Sequence, residues 1–96
     1  MDRKKIIDFL KRNKTFFKKS YKVKTMALFG SYAKNTANEL SDIDLYVEFE
    51  KVSYDNIYEL KVFLENYFHK RVDIVSNNNY SDSKLLKLIK QEMVNV

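Results

Sequence analysis

Apolar residues in the first twenty positions recur at steps of three and four. Ile6, Phe9, Leu10, Phe16 and Phe17 share a helical face that Asn13 completes, while Lys4, Lys5, Lys11, Arg12, Lys18 and Lys19 fall opposite. Residues 3 to 19 are therefore predicted to form one amphipathic helix with a basic outer face. Val23 to Phe29 is short and apolar and stops at the only glycine of the chain, the pattern of a buried strand followed by a turn. A short helix is predicted from Ser31 to about Ala37, closed by Asn38, before a polar loop through Ser41. The spacing then switches to two. Asp42, Asp44, Glu48 and Glu50 face one way and Ile43, Leu45, Val47 and Phe49 the other, which predicts a second strand over residues 42 to 50.

Ser53, with Asp55 behind it, is an N-terminal cap signal for a helix to about His69, carrying Ile57, Leu60, Leu64, Tyr67 and Phe68 on its apolar stripe. Arg71 to Val75 reads as a third short strand and Ser76 to Tyr80 as a polar loop containing Asn77, Asn78 and Asn79. Ser81 or Asp82 then caps a last helix with Leu85, Leu86, Leu88, Ile89 and Met93 inward. The order α-β-α-β-α-β-α contains no repeat or linker. It predicts a single α/β domain over residues 1 to 96, with a three-stranded sheet covered by helices.

Composition narrows the function classes. The 96 residues hold no cysteine, no proline and one histidine, which excludes disulfide scaffolds, thiolate zinc sites, cysteine nucleophiles and multi-histidine metal sites. No apolar run approaches the roughly 18 residues of a membrane helix, and the cluster around Ile6 to Leu10 is too short for a secretory leader, so a soluble cytoplasmic protein is expected. The net charge of +5 is uneven: residues 1 to 24 carry ten Lys or Arg against two acids, and residues 25 to 96 carry eight against eleven. Fifteen of the eighteen basic residues are lysine in a chain also rich in Asn, Ile, Tyr and Phe, so the basic stripe is read as a solvated helix face rather than a nucleic-acid surface.

The chemistry-bearing stretch is Gly30 to Phe49, followed by Val72-Asp73-Ile74-Val75. Asp42 and Asp44 stand two apart on a strand, so their carboxylates leave the same face roughly 6 to 7 Å apart. Paired hard oxygen donors suit Mg²⁺ or Mn²⁺, and a pair of ions needs a third carboxylate. Asp73 is the candidate, because an acid amid Val72, Ile74 and Val75 is costly to bury without a cation. Gly30 permits close backbone approach at a strand end, and Ser31 adds a hydroxyl and a free N–H for a phosphate. For one metal-bound nucleotide to touch the end of the first strand and the start of the second, those strands must run antiparallel. Each signal alone is weak, but Gly-Ser, ten residues, then Asp-x-Asp arises by chance on the order of once in a thousand chains of this length.

This constellation, with a third aspartate on a later strand, resembles the nucleotidyltransferase superfamily that includes polymerase-β-type palms. In length and element order the chain is most similar to the minimal nucleotidyltransferases, the MNT proteins paired with a HEPN-domain partner in bacterial toxin–antitoxin modules. The resemblance implies a polymerase-β-like mixed sheet and Mg²⁺-dependent transfer of a nucleoside monophosphate, AMP from ATP, to a protein partner. It also implies that the acceptor is a tyrosine of a HEPN RNase toxin and that the chain acts as the antitoxin. Carried over by position, Gly30, Ser31 and Lys34 would hold the triphosphate and Asp42 and Asp44 would ligate two metal ions. Asp73 would complete the metal set and help take the proton of the attacking hydroxyl. Where the family commonly reads Ala-Arg-Gly, this chain reads Ala33-Lys34-Asn35. Lysine keeps the charge but loses the bidentate fork, and Asn35 can still adopt a left-handed turn.

Three other readings compete: a catalytically weak or inactive module that neutralises its partner by binding, a small-molecule modifier, and a basic RNA-binding helix on an inert scaffold. An open acceptor pocket implies that a partner chain or self-association completes it. His69 is read as a helix-end or surface residue, Lys70 and Arg71 as basic residues at a strand entrance, and Tyr80 as a residue that could flank a base.

Overall fold

The computed structural model describes residues 1–76 and 83–96. The predictions on Asn77, Asn78, Asn79, Tyr80, Ser81 and Asp82 lie outside the described residues. The elements are α1 (Arg3–Arg12), α2 (Lys14–Tyr21), β1 (Val23–Phe29), α3 (Gly30–Ala33), β2 (Ile43–Phe49), α4 (Tyr54–Phe68), β3 (Val72–Ser76), α5 (Ser83–Glu92) and β4 (Val94–Asn95).

The predicted first helix is two. Asn13 interrupts it: its side-chain amide donates to Phe9 O at 2.8 Å and its N–H to Leu10 O at 3.3 Å, a tighter turn than the α-helix allows. Asp2 opens α1 by accepting from Lys5 N at 2.9 Å, and Lys22 closes α2 in the left-handed region at φ 61°. Serine 53 caps α4 as predicted, accepting from Asn56 N at 3.0 Å, and His69 ends that helix at φ 55°.

The sheet has four strands rather than the three expected, in the order β3-β2-β1-β4. The addition, β4, is two residues long and pairs antiparallel with Ala27 and Leu28. Strands β1 and β2 are antiparallel, as predicted from the sequence, with Phe29 opposite Asp44 and Ala27 opposite Tyr46. Strand β3 lies parallel to β2, pairing Ile43 with Val72, Asp44 with Asp73 and Leu45 with Ile74.

Ile43, Leu45, Val47 and Phe49 form a continuous core with Ile6, Phe9, Leu10 and Phe17 of α1 and α2 and with Leu60, Leu64 and Phe68 of α4. Each such side chain stabilises the fold by roughly 1.5 to 3 kcal/mol on burial. Aromatic rings fill much of this layer: Phe9 stacks on Tyr67 at 3.7 Å between centroids and meets Phe68 edge-on at 5.3 Å.

Phe16 of α2 and Tyr67 of α4, read on the packing faces of their helices, are exposed, and other assignments are corrected too. In α5, Ile89 is buried, but Leu85 and Leu88 are exposed instead of facing inward. Ser76, read as the start of a loop, is buried and closes β3. Among the described residues no helix is long and apolar enough to cross a membrane.

Candidate active site

The end of β1 and the start of β2 meet where Phe29 pairs with Asp44, and the chain turns at Gly30 immediately beyond. Gly30 has φ +75°, and a Cβ there would collide with Asp44 Oδ2 and lie 3.0 Å from Asp44 Cγ. Only glycine combines that backbone with that clearance. The turn is shorter than the predicted helix, ending at Ala33. Lys34 N–H donates to Gly30 O at 3.2 Å and Thr36 N–H to Ser31 O at 2.9 Å, and Asn35 takes φ 61°. Arg3 of α1 ties this turn to the body by donating to Ala33 O at 3.0 Å.

Asp42 enters β2 from a loop organised by Asn38, whose side chain accepts from Leu40 N at 2.8 Å and whose N–H donates to Ser41 Oγ at 2.9 Å. Asp44 sits one step into the strand on the same face. Parallel pairing sets Asp73 directly beside Asp44, one strand spacing away, or roughly 4.8 Å. The three aspartates singled out in the sequence thus come to one end of one sheet face, beside Gly30 and Ser31.

Their electrostatics differ. Burial first, and then the nearby charges of Asp73 and Asp42, together raise the Asp44 carboxyl from 3.8 to about 6. Asp73 is exposed, because β3 stands at the edge of the sheet among the described residues; its place is not that of an acid sealed in an apolar strand, as the flanking sequence suggested. Hard oxygen donors that repel one another at the mouth of a glycine turn are chemically suited to a divalent cation. The carboxylates are not drawn into a finished cage: among the described residues no group of three or more His, Asp or Glu side chains is gathered at metal-binding distance.

Lys34 pairs with Glu92 of α5, Nζ to Oε1 at 3.0 Å. Lys70, not assigned a role from the sequence, is directed to the loop before Asp42, donating to Glu39 O at 2.8 Å and Ser41 O at 3.4 Å. Nothing in residue type or spacing could have revealed that contact, which joins positions about thirty apart. Further along the same sheet face is an open groove of about 520 Å³ bordered by Ala27, Tyr46, Glu48, Lys90 and Met93. Met93 was expected to pack inward and instead lines this groove.

The family model described as polymerase beta, nucleotidyltransferase matches residues 4–95. The chain belongs to this nucleotidyltransferase family. Among relatives, this nucleotidyltransferase is 38% identical over 92 residues to "Putative protein adenylyltransferase MJ0128" of Methanocaldococcus jannaschii, covering 95% of this chain and 94% of that one. Among solved structures it is similar to "Structure of putative minimal nucleotidyltransferase", with a TM-score of 0.83, 28% identity and coverage of 100% and 97% of the two chains. It also matches "Crystal structure of the toxin-antitoxin with AMP-PNP", with a TM-score of 0.72, 25% identity and coverage of 99% and 72%. The polymerase-β-like α/β fold and the nucleotidyltransferase class expected from the Gly-Ser turn and the aspartates are both borne out.

Proposed function

We propose that this nucleotidyltransferase moves AMP from ATP onto a tyrosine of a HEPN-domain toxin and so acts as its antitoxin. The observation that carries the reading is the parallel register of β2 and β3, which sets Asp73 beside Asp44 at the mouth of the Gly30 turn. Support for the nucleotide and the acceptor class comes from the adenylyltransferase name of the Methanocaldococcus relative and from the toxin–antitoxin structure solved with an ATP analogue. The HEPN partner and its tyrosine follow from the resemblance of the sequence to the minimal nucleotidyltransferases.

In this reading Asp42, Asp44 and Asp73 would hold two Mg²⁺ ions, whose charge would offset that of the triphosphate and favour in-line displacement. Gly30 leaves the space beside Asp44 open, and Ser31 offers its hydroxyl to the phosphates. Lys34 reaches them by leaving Glu92. Asp73, the open carboxylate, accepts the proton of the tyrosine hydroxyl as its oxygen bonds to the α-phosphorus and pyrophosphate departs. The Asp44 carboxyl, held at about 6, is ionised at neutral pH and readily so in the presence of a cation.

Intact mass of the partner after incubation with this chain, Mg²⁺ and ATP tests the reading, with Asp42→Asn/Asp44→Asn as control. An added AMP that needs the carboxylates supports it. A stable complex with no added nucleotide from any NTP would favour neutralisation by binding alone, a reading to which the Lys34–Glu92 pair lends weight.

A further inference from the structure

The loop that delivers Asp42 to the site is bonded mainly to itself. Asn38 and Ser41 exchange hydrogen bonds, Leu40 N–H returns to Asn38 Oδ1, and the Leu40 side chain is 92% exposed, so no apolar anchor holds the loop down. Among the described residues, the side-chain hydrogen bonds that tie residues 38–41 to another part of the fold come from Lys70. Its ammonium bridges Glu39 O at 2.8 Å and Ser41 O at 3.4 Å, the latter being the carbonyl of the peptide bond that leads into Asp42.

The same ammonium stands 5.8 Å from the centre of the Tyr32 ring, and Tyr32 is a buried residue of the turn that contains Gly30 and Ser31. Lys70 is itself fixed from both sides. His69 N–H donates to Glu65 O at 2.8 Å in the left-handed stop of α4, and Arg71 O accepts from Ile43 N at 3.0 Å to begin the β2–β3 ladder. Two residues further on, Val72 N–H is held by Glu65 Oε2 at 3.0 Å, and Asp73 follows. One cation therefore touches the Asp42 loop and the Gly30 turn while sitting on the chain that leads to Asp73.

We propose that Lys70 is a positioning residue for the aspartate site, holding the Glu39–Ser41 segment against the Tyr32 turn so that Asp42 and Asp44 meet Asp73 and the phosphates in register. The proposal rests on the nucleotidyl-transfer reading above. Lysine suits the task because an ammonium offers three donors in different directions and carries no acceptor to repel the carbonyls. With its ammonium engaged by the two loop carbonyls, Lys70 acts on the rate through the placement of Asp42. A misplacement of about 1 Å in a reacting constellation costs on the order of 100-fold.

The test compares wild type, Lys70→Met and Lys70→Arg. Methionine keeps the stem over Tyr32 and removes the donors, and arginine restores donors that can span two carbonyls. Expected in AMP transfer to the partner is a kcat for Lys70→Met reduced roughly 10- to 100-fold, a KM for ATP changed less than about twofold, and recovery to within about fivefold in Lys70→Arg. Amide hydrogen exchange of residues 38–41, measured by NMR without nucleotide, is expected to quicken in Lys70→Met and return in Lys70→Arg while the melting temperature stays within a few degrees. An unchanged kcat in Lys70→Met, or unchanged exchange, overturns the proposal. A loss seen only in KM also overturns it, since that makes Lys70 a direct nucleotide ligand. Failure of the wild type to transfer AMP to any partner is a different result: it removes the functional reading itself, whatever the variants do.

Discussion

Replacing Asp44 by asparagine should make the protein more stable and leave it inactive. Burial and the neighbouring acids lift the carboxyl from 3.8 to about 6, so ionising it in the folded chain is unfavourable. A shift of about two pH units has a ceiling near 3 kcal/mol at 1.36 kcal/mol per unit. Asp44 is only half-buried, and solvent screening of its neighbours reduces the figure to about 1 kcal/mol. The sign follows from where the proton resides. Below about pH 3.8 the group is protonated in both folded and unfolded chains and its contribution to stability is fully present; as pH rises through about 6 the folded protein must ionise it and that contribution is lost. Asparagine removes the charge, so at pH 7 without divalent cation the variant should melt about 5 °C above wild type. The gap should close as pH is lowered to 4. Thermal melts of both proteins in EDTA, from pH 4 to 8, measure it directly. A variant that melts below wild type at pH 7, or a gap indifferent to pH, would refute the argument that burial and the neighbouring acids disfavour the ionised Asp44 carboxylate.

Gly30→Ala should lower kcat/KM at least tenfold, because a left-handed alanine costs roughly 1 to 2 kcal/mol and its methyl displaces the Asp44 carboxylate; wild-type kinetics in the variant would show that the turn yields easily. Glu92→Gln should leave the melting temperature within about 2 °C, as expected for a half-exposed ion pair, yet lower the KM for ATP by freeing Lys34. A KM that does not fall would argue against Lys34 as a phosphate ligand. Phe9→Ala should destabilise the fold by about 3 to 5 kcal/mol, seen as a lowered urea midpoint, because it opens the stack with Tyr67 and the edge contact with Phe68.

Most elements could be read from residue spacing because each buries one side. The alternation from Asp42 to Glu50 is the strict case, and β2 runs from Ile43 to Phe49 with its apolar set in the core. Chemistry supplied what spacing did not: the expectation of one shared nucleotide site led to antiparallel β1 and β2, and that is their pairing. Three features escaped for physical reasons. The break at Asn13 leaves the apolar rhythm intact, since the side chain that interrupts the helix also bonds back to it. Strand β4 is two residues long, too brief for any period to register. Leu85 and Leu88 fit an inward stripe, but α5 buries Ile89 with less of its surface covered than a stripe of five apolar residues suggests. Of the candidate site, residue types singled out the aspartates and the glycine turn that the fold brings to one end of the sheet; the exposure of Asp73 and the reach of Lys70 depend on strand order and on long-range contacts, which one sequence does not encode in any local pattern.

The pairing of Asp44 with Asp73 across a parallel ladder also makes activity a report on folding accuracy. Sliding β3 by a single residue would turn Val72 outward and Asp73 into the core, exchanging every side chain between faces. The alignment that hides Val72 is the same one that sets the two carboxylates side by side, so a molecule cannot be wrongly zipped there and still competent. Active-site titration of a refolded sample would accordingly count correctly zipped molecules.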